Sequence, residues 1–352
     1  MLYVTTRMNS ATYTAQATLE RATGPDGGLF CPLALPEYRG EALYALLRRD
    51  FWDCTAEVLN QFFPVRLKGE DFRELEIPAT VFIRHKIAVA ELWDRRSGGF
   101  GGLQSTLFAK LGSPLRSRGN WPYVAVNVAL LFGVYGAVCR AGWVRMGEPV
   151  HLALACGEFT MPLAAWYARR MGLPLGTVIP VCNENGVTWE LLHRGEARLD
   201  GAVTKTALPL LDVGLPCNLE RLVAQSLGPQ AAEDYIAART RGRSFSLNPE
   251  QQATAREGFS VSVTCTARAG ALIPRIYKTS DYLLSPCTAL VYAGLMDFRS
   301  LEGEGTPTIL LAEESPLKWG EDVLKALGLP TENLTARIGQ LQAQAAARRK
   351  VD

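Results

Sequence analysis

The fold of this chain is decided by residues 149–181, which read PVHLALACGEFTMPLAAWYARRMGLPLGTVIPV. The apolar run 149–155 predicts a strand, and the spacing of apolar residues over 161–171 predicts a helix that ends at Gly172. The β-branched run 177–181 predicts a second strand. A strand, a turn, a helix and a second strand make a βαβ unit, which implies an α/β fold with a parallel sheet.

The rest of the chain continues this alternation of strands and helices. Buried strands are predicted at 79–83 and 87–92, and further strands at 260–264 and 308–312. Helices are predicted from apolar spacing and composition over 11–21, 41–63 (one or two), 121–141, 267–278, 289–296, 320–327 and 340–347. No internal repeat interrupts this pattern.

Composition points to a folded protein with a large core. The chain has 352 residues, of which 48% are hydrophobic and 20% charged, and its formal net charge is +2. That balance predicts neither a nucleic-acid nor a membrane partner. The longest apolar run, 123–138, is broken by Asn127, Gly133 and Gly136, which favours a buried helix. The start of the chain has no signal-peptide pattern, so we expect a cytoplasmic protein.

The cysteines and histidines do not predict a metal site. The eight cysteines are scattered and none are in C-x-x-C spacing, as expected for small buried residues in a reducing compartment. The three histidines, His85, His151 and His193, are far apart in sequence. We therefore expect no metal ligand set.

The turn between the first strand and helix of the βαβ unit is the first candidate site. It contains Cys156, Gly157, Glu158, Phe159 and Thr160. Backbone N–H groups at a helix N-terminus attract anions, and glycine allows a phosphate to approach closely. A carboxylate at Glu158 would repel such a phosphate by roughly 1 kcal/mol or more.

Segments along the whole chain resemble the threonine synthase family, in the same order. Residues 91–104, ELWDRRSGGFGGLQ, are similar to the family's cofactor-lysine segment, Glu-Leu-Phe-His-Gly-Pro-Thr-Leu-Ala-Phe-Lys-Asp. The other matching segments are 3–7 (YVTTR), 22–30 (ATGPDGGLF), 155–159 (ACGEF), 164–174 (AAWYARRMGLP), 183–185 (NEN), 212–221 (DVGLPCNLER) and 282–289 (YLLSPCTA). The resemblance implies the tryptophan synthase β-like architecture of fold-type II pyridoxal-phosphate enzymes.

The same resemblance implies that the cofactor chemistry has been lost. The family's lysine, which binds pyridoxal phosphate as a Schiff base, falls on Gly101, which has no amine. The family's Gly-Asn-Phe-Gly phosphate turn keeps Gly157 and Phe159, but Glu158 and Thr160 replace the other two residues. Ser315 is retained in the loop that helps seat the cofactor ring. We therefore expect remnants of a cofactor site and no bound cofactor.

The resemblance also implies that the small lobe is largely deleted. The family's substrate-phosphate loop is missing, and Asn120-Trp121 resembles a motif from the far side of that lobe. We predict an N-terminal cap and lysine-segment remnant over 1–112 and a large α/β lobe over 113–352. Arg116 and Arg118, in the connecting segment, are expected to be solvated.

Three functions follow from this pattern. The first is a threonine-synthase-like pseudoenzyme that binds a small anion, itself or a true threonine synthase. The second is a compact threonine synthase that makes threonine from O-phosphohomoserine, although Lys110, the nearest downstream lysine, is expected on the surface. The third is a repurposed enzyme whose cleft holds Cys156, Glu158, Asn183 and Asn185. Cys287 is a possible thiol nucleophile but is expected to be a packed side chain.

Overall fold

The computed structural model describes residues 1–7, 10–93, 99–114, 117–303 and 305–349. The strands are β1 (Leu2–Thr5), β2 (Tyr13–Thr14), β3 (Phe30–Pro32), β4 (Ala79–Ile83), β5 (Ile87–Glu91), β6 (Val150–Ala155), β7 (Leu175–Cys182), β8 (Glu196–Arg198), β9 (Ser244–Ser246), β10 (Ser262–Val263) and β11 (Thr308–Ala312).

The helices carry most of the remaining described chain. They are α1 (Ala15–Glu20), α2 (Gly40–Arg48), α3 (Phe51–Phe62), α4 (Phe100–Leu111), α5 (Trp121–Arg140), α6 (Thr160–Arg170), α7 (Val187–Trp189), α8 (Leu219–Leu227), α9 (Pro229–Thr240), α10 (Pro249–Arg256), α11 (Thr266–Gly270), α12 (Leu272–Thr279), α13 (Pro286–Glu302), α14 (Gly320–Ala326) and α15 (Leu334–Arg349). Short 3₁₀ turns lie at Gly69–Phe72, Pro209–Leu211 and Pro316–Trp319, and a π-helical turn at Glu190–Arg194.

A six-stranded sheet forms the centre of the molecule, in the order β10-β7-β6-β11-β5-β4. The predicted βαβ unit is confirmed, because β6 and β7 pair in parallel with Ala155 opposite Val181. The sheet is mixed, since β4 pairs with β5 antiparallel. The short turn through His85 and Lys86 explains this, because parallel strands need a long crossover.

The prediction that β4 is a buried strand was wrong. It lies at the edge of the sheet, and its Phe82 is 37% exposed. The predicted helix 267–278 is two helices, α11 and α12, and α13 extends well beyond the predicted 289–296. The α13 helix begins earlier because the Ser285 side chain caps it, its Oγ accepting a hydrogen bond from the Thr288 N–H.

Helix α5 is the core helix that the broken apolar run predicted. It meets the length and composition of a membrane span, but 83% of its most apolar window is buried within the protein. Its glycines allow close packing: a Cβ on Gly133 would lie 2.9 Å from Phe51, and one on Gly136 would lie 2.8 Å from the Leu47 carbonyl. The burial identifies α5 as part of a protein core.

The N-terminal segment is tied to the central lobe by buried polar contacts. The Tyr3 hydroxyl donates to the Phe62 carbonyl at 2.7 Å and accepts from the Trp121 indole at 3.0 Å. The fully buried Arg221 donates to the carbonyls of Phe30 at 2.8 Å and Gly119 at 2.7 Å. One core therefore joins the start of the chain to α5 and α8.

The predicted domain boundary at 112 stays a prediction, although β4 and β5, which precede it, lie in the same sheet as the strands that follow it. Residues 112–120 alone connect α4 to α5. Within the described chain the remaining sheets are small, namely β2-β1-β3 and β8-β9.

Candidate functional site

The β6–α6 turn lies at the carboxyl edge of the sheet, where parallel sheets bind ligands. Gly157 and Phe159 both have left-handed backbone conformations, with φ of +46° and +59°. Phe159 is completely buried and its N–H donates to the Cys156 carbonyl at 2.9 Å. The turn therefore has a tight, left-handed backbone that leads directly into the N-terminus of α6.

The polar groups of this turn are already engaged within the protein. The Glu158 carboxylate accepts a hydrogen bond from the Cys217 N–H at 2.9 Å. Thr160 Oγ1 accepts from the Asn218 amide at 2.9 Å and donates to the Arg118 carbonyl at 3.3 Å. A ligand at this turn would have to compete with these contacts or use the remaining backbone N–H groups.

The space in front of the turn is small. A cavity of about 30 Å³ is lined by the turn together with Gln104, Tyr123, Asn127 and Leu211. Gln104 and Asn127 hydrogen-bond to each other at 3.1 Å on one side of it. Such a volume accommodates one or two waters.

A larger cavity of about 190 Å³ adjoins the first and shares Arg118, Ala155, Leu211 and Glu313 with it. Gly101 also lines this cavity, near the start of α4. Its remaining walls are Leu210, Cys287, Glu314 and Lys318. The structure thus brings the Gly101 position, the Gly157 turn and Cys287 around one cleft.

Lys318 is the cleft residue that the sequence reasoning missed. A Cβ built on Gly99 would lie 3.8 Å from the Lys318 ammonium nitrogen. The ammonium is paired with the buried Glu314, which also accepts a hydrogen bond from the Trp319 indole at 2.6 Å. The signal available in the sequence was a Glu-x-x-x-Lys spacing directly after the carboxyl end of a strand.

Two cleft groups have perturbed acidities. Burial raises the pKa of Glu313, with the Arg118 guanidinium opposing that rise and Glu314 adding to it. Burial, with Glu313 and Glu314 contributing, raises the pKa of the Cys287 thiol well above its usual range. A neutral thiol is a poor nucleophile, so Cys287 is better explained as a packed side chain.

Several predicted site residues lie elsewhere. Asn183 and Asn185 do not line either cleft cavity; they hold the loop 204–212 in place through the Asp212 carboxylate, at 2.7 Å and 3.3 Å. Ser315 caps the following turn at the Leu317 N–H and lines a separate cavity of about 450 Å³. The cluster proposed for a repurposed enzyme is therefore not assembled as predicted.

Lys110 and Arg118, the two cationic side chains considered from the sequence, lie in different environments. Lys110 is on the surface, as predicted, and pairs with Glu74 at 3.4 Å. Arg118 lines both cleft cavities, so the expectation that it would simply be solvated was wrong. Residues 94–98 of the lysine segment, and Arg116, lie outside the described residues.

The chain is similar in sequence to threonine synthases and threonine synthase-like proteins. A family model described as the threonine synthase N terminus matches residues 2–77. Threonine synthase of Corynebacterium glutamicum is 28% identical over 200 residues, covering 53% of this chain and 41% of that protein. Human threonine synthase-like 1 is 25% identical over 221 residues, covering 62% of this chain and 29% of that protein.

Solved structures of threonine synthases share the fold. The pyridoxal-phosphate-bound Brucella melitensis enzyme superposes with a TM-score of 0.83 at 18% identity, covering 94% of this chain and 92% of that one. The yeast enzyme gives 0.81 at 16% identity, covering 96% and 94%.

The matched part of this chain spans less than half the length of the Corynebacterium and human relatives. The N-terminal match, the homologues and the shared fold nevertheless agree with one another. The resemblance predicted from sequence is confirmed: this chain is a relative of the threonine synthases and threonine synthase-like proteins, with a threonine synthase N-terminal domain and the fold of the fold-type II pyridoxal-phosphate enzymes.

Proposed function

We propose that this chain is a threonine-synthase-like pseudoenzyme that has lost pyridoxal-phosphate chemistry and keeps its cleft as a small-ligand binding site. The observation that carries the proposal is Gly101. It lines the cleft at the position that the resemblance assigns to the cofactor lysine, and within the described chain no atom would lie within 4 Å of a Cβ built there. The position has room for a side chain but supplies no amine.

The phosphate end of the site does not fit the cofactor either. The cavity directly in front of the turn is about 30 Å³, which accommodates one or two waters as it stands. The side chain of Leu211 is 3.6 Å from the position of a Cβ on Gly157, so the 3₁₀ turn 209–211 covers the approach. Glu158 adds a negative charge beside the turn.

Two kinds of binding partner fit this proposed role, a small anion and another protein chain. The guanidinium-bearing Arg118, which lines both cavities, suits a small anion. The apolar Leu210, 43% exposed at the edge of the cleft, suits contact with a second copy of the chain or with a true threonine synthase.

A second candidate, a compact threonine synthase, is favoured by Lys318. This lysine lines the same cavity as Gly101, so it is the amine best placed to replace the missing one. Its ion pair with Glu314 opposes that role, because an imine forms from the neutral amine. The 3₁₀ turn 209–211, which covers the phosphate turn, is a second and independent argument against a compact threonine synthase.

Incubation with pyridoxal phosphate, borohydride reduction and peptide mass mapping separate the two candidates. The pseudoenzyme predicts no stoichiometric adduct and no change on Lys318→Met. One adduct per chain on Lys318, lost in Lys318→Met and kept in the surface control Lys110→Met, would establish the compact-enzyme alternative.

A further inference from the structure

Two cysteines lie side by side at the carboxyl ends of β6 and β7. Ala155 is paired with Val181 in the parallel ladder, and the Cys156 N–H donates to the Val181 carbonyl at 2.9 Å. The same register therefore puts Cys156 opposite Cys182, each one residue further along the chain. Both cysteines are buried, and both are free thiols.

The two cysteine side chains lie on the same face of the sheet. Cys156 and Cys182 belong to the core that includes α5 and α6, whereas Ala155 and Val181 belong to the core on the opposite face, with α13. Neighbouring strands are about 4.7–4.9 Å apart, and disulfides join Cα atoms that are roughly 4.4–6.8 Å apart. A covalent link between these two thiols therefore needs side-chain rotation and little movement of the backbone.

The surroundings of the Cys182 sulfur agree with this placement. A hydrogen bond with the Cys156 side chain, followed by burial, raises the pKa of the Cys182 thiol well above its usual range. The Trp189 backbone N–H, which is bonded to the same sulfur, lowers that pKa. The two thiols are therefore in contact with each other across the strands while both are reduced.

The small cavity in front of the β6–α6 turn gives access to one of the two thiols. Cys156 is part of the wall of this cavity of about 30 Å³, and Cys182 is not. A space for one or two waters admits hydrogen peroxide, whereas it excludes a bulky oxidant such as glutathione disulfide. Cys156 is therefore the thiol that a small peroxide meets first.

We propose that Cys156 and Cys182 form a peroxide-sensitive dithiol site that closes to a reversible disulfide. In the first step the Cys156 sulfur attacks one oxygen of hydrogen peroxide. The S–O bond forms as the O–O bond breaks, and the thiol proton leaves with the departing hydroxide as water. The product of this step is a sulfenic acid on Cys156.

In the second step the Cys182 sulfur attacks the sulfur of that sulfenic acid. The S–S bond forms as the S–O bond breaks, and the Cys182 proton leaves with the departing hydroxide as a second water. Two thiols are thus oxidised to one disulfide, and one peroxide is reduced to two waters. This modification goes beyond the proposed function, because it needs neither a cofactor nor a ligand in the cleft.

The site lies where a cross-link would act on the cleft. Cys156 directly precedes Gly157 of the β6–α6 turn, and Cys182 directly precedes Asn183, which holds the loop 204–212. A disulfide would join the starts of these two segments and would rebuild the wall of the small cavity at Cys156. Oxidation therefore changes the same region that the proposed function assigns to ligand binding.

Peptide mapping of the oxidised full chain tests the proposal. Trypsin releases Cys156 in 146–169 and Cys182 in 171–194, and neither peptide contains another cysteine. Remaining thiols are alkylated in denaturant before digestion. We expect hydrogen peroxide to give a cross-link between these two peptides, lighter by two hydrogens, that dithiothreitol reverses. Glutathione disulfide should modify the exposed Cys265 and form the cross-link at least ~10-fold more slowly.

Single substitutions assign the two steps to the two thiols. In Cys182→Ser the second step is blocked, so peroxide should leave a sulfenic acid on Cys156 that dimedone traps. Cys156→Ser should give neither the cross-link nor a dimedone adduct on Cys182. Cys265→Ser, which removes an exposed thiol, is the matched control and should keep the cross-link of the wild type.

Two results would overturn the proposal. One is a folded wild type in which peroxide oxidises Cys265 but gives no cross-link between 146–169 and 171–194. The other is a cross-link that forms as fast with glutathione disulfide as with peroxide, which would show that it does not form through the small cavity. Both readouts use the wild type, so they decide the question even where a serine variant does not fold. Neither involves pyridoxal phosphate, so the outcome is independent of a cofactor adduct.

Discussion

Two regions of the molecule differ in how many packing and hydrogen-bond contacts each of their residues makes. One is the buried junction of Tyr3, Trp121 and Arg221, and the other is the cleft around Gly101. At the junction, the Tyr3 hydroxyl, the Trp121 indole N–H, and Nε and Nη1 of Arg221 each have a buried partner at 2.7–3.0 Å. At the cleft, no described atom lies within 4 Å of a Cβ built on Gly101, and Gly101 and Arg118 line an open cavity. A fold depends on many shared buried contacts, whereas its chemistry depends on a few groups whose loss leaves the packing intact.

Arg221→Met should break the junction and give the largest effect. The change leaves the buried carbonyls of Phe30 and Gly119 without their charged donor. We expect the free energy of unfolding to fall by about 3 kcal/mol or more, measured by urea denaturation. The exposed Arg241→Met should change it by less than about 0.5 kcal/mol, and an equal loss in both variants would refute the special role of the junction.

Two glycine substitutions compare a closely packed position of the fold with the open cleft. Gly172 has φ of +106°, and a Cβ there would lie 2.1 Å from the Tyr38 carbonyl oxygen. Gly172→Ala should therefore destabilise the protein by about 2–3 kcal/mol. Gly101→Ala should be neutral or stabilising by up to ~1 kcal/mol, because Gly101 is helical and unobstructed. Thermal unfolding of both variants checks this, and a large loss on Gly101→Ala would show that the glycine is structurally required.

Asn183→Ala should loosen the loop 204–212 next to the cleft without unfolding the rest of the protein. The Asn183 amide donates to Asp212 at 2.7 Å and to Thr206 at 3.1 Å. We expect a loss of about 1–2 kcal/mol and faster limited proteolysis within 199–215. Gln340→Ala, on an exposed helix face, is the control, and equal proteolysis rates in the two variants would contradict this function of Asn183.

The same loop should respond to acid. Burial alone would raise the pKa of Asp212, but hydrogen bonds from Thr206 and Asn183 together hold it below its usual value. Stability from this carboxylate is therefore present above the unfolded pKa of about 3.9 and is lost as pH falls through the lower folded value. Proteolysis of the loop should accelerate over that window, and a rate independent of pH, corrected for the protease, would count against it.

The smallest expected effect is a change in the pH dependence of stability, and it concerns His151 on strand β6 of the central sheet. Burial, with Arg299 contributing, lowers the pKa of this imidazole, and its Nδ1 accepts the Thr177 N–H at 2.9 Å. A lowered histidine pKa means that stability is complete above about pH 6.5 and decreases as pH falls toward the folded value. His151→Gln should flatten this part of the stability profile in denaturant titrations; an unchanged slope would contradict the assignment.

The main strands and helices could be predicted from the sequence because the residue patterns that indicate them are local and periodic. The β6–α6–β7 unit, the apolar α5 and the glycine at position 101 can all be identified from neighbouring residues. The strand β4 was misjudged because an edge strand and a central strand have the same apolar composition until the pairing direction is known. The ion pair of Lys318 with Glu314, and the facing of Arg118 and Glu313, depend on contacts between distant segments, which no spacing rule reveals.

Restoring the amine gives the most direct test of a retained fold with a lost cofactor site. The Gly101→Lys side chain has room, because no described atom lies within 4 Å of a Cβ at this position. The wild type and the variant are each incubated with pyridoxal phosphate or with pyridoxal. Both are then reduced with borohydride, and the adducts are measured by mass spectrometry. We expect no specific adduct on the wild type, and weak labelling of the new lysine to the same extent by both aldehydes, because the 3₁₀ turn 209–211 covers the phosphate turn. Strong preference of the variant for the phosphorylated aldehyde, or a stoichiometric adduct on the wild type, would contradict it.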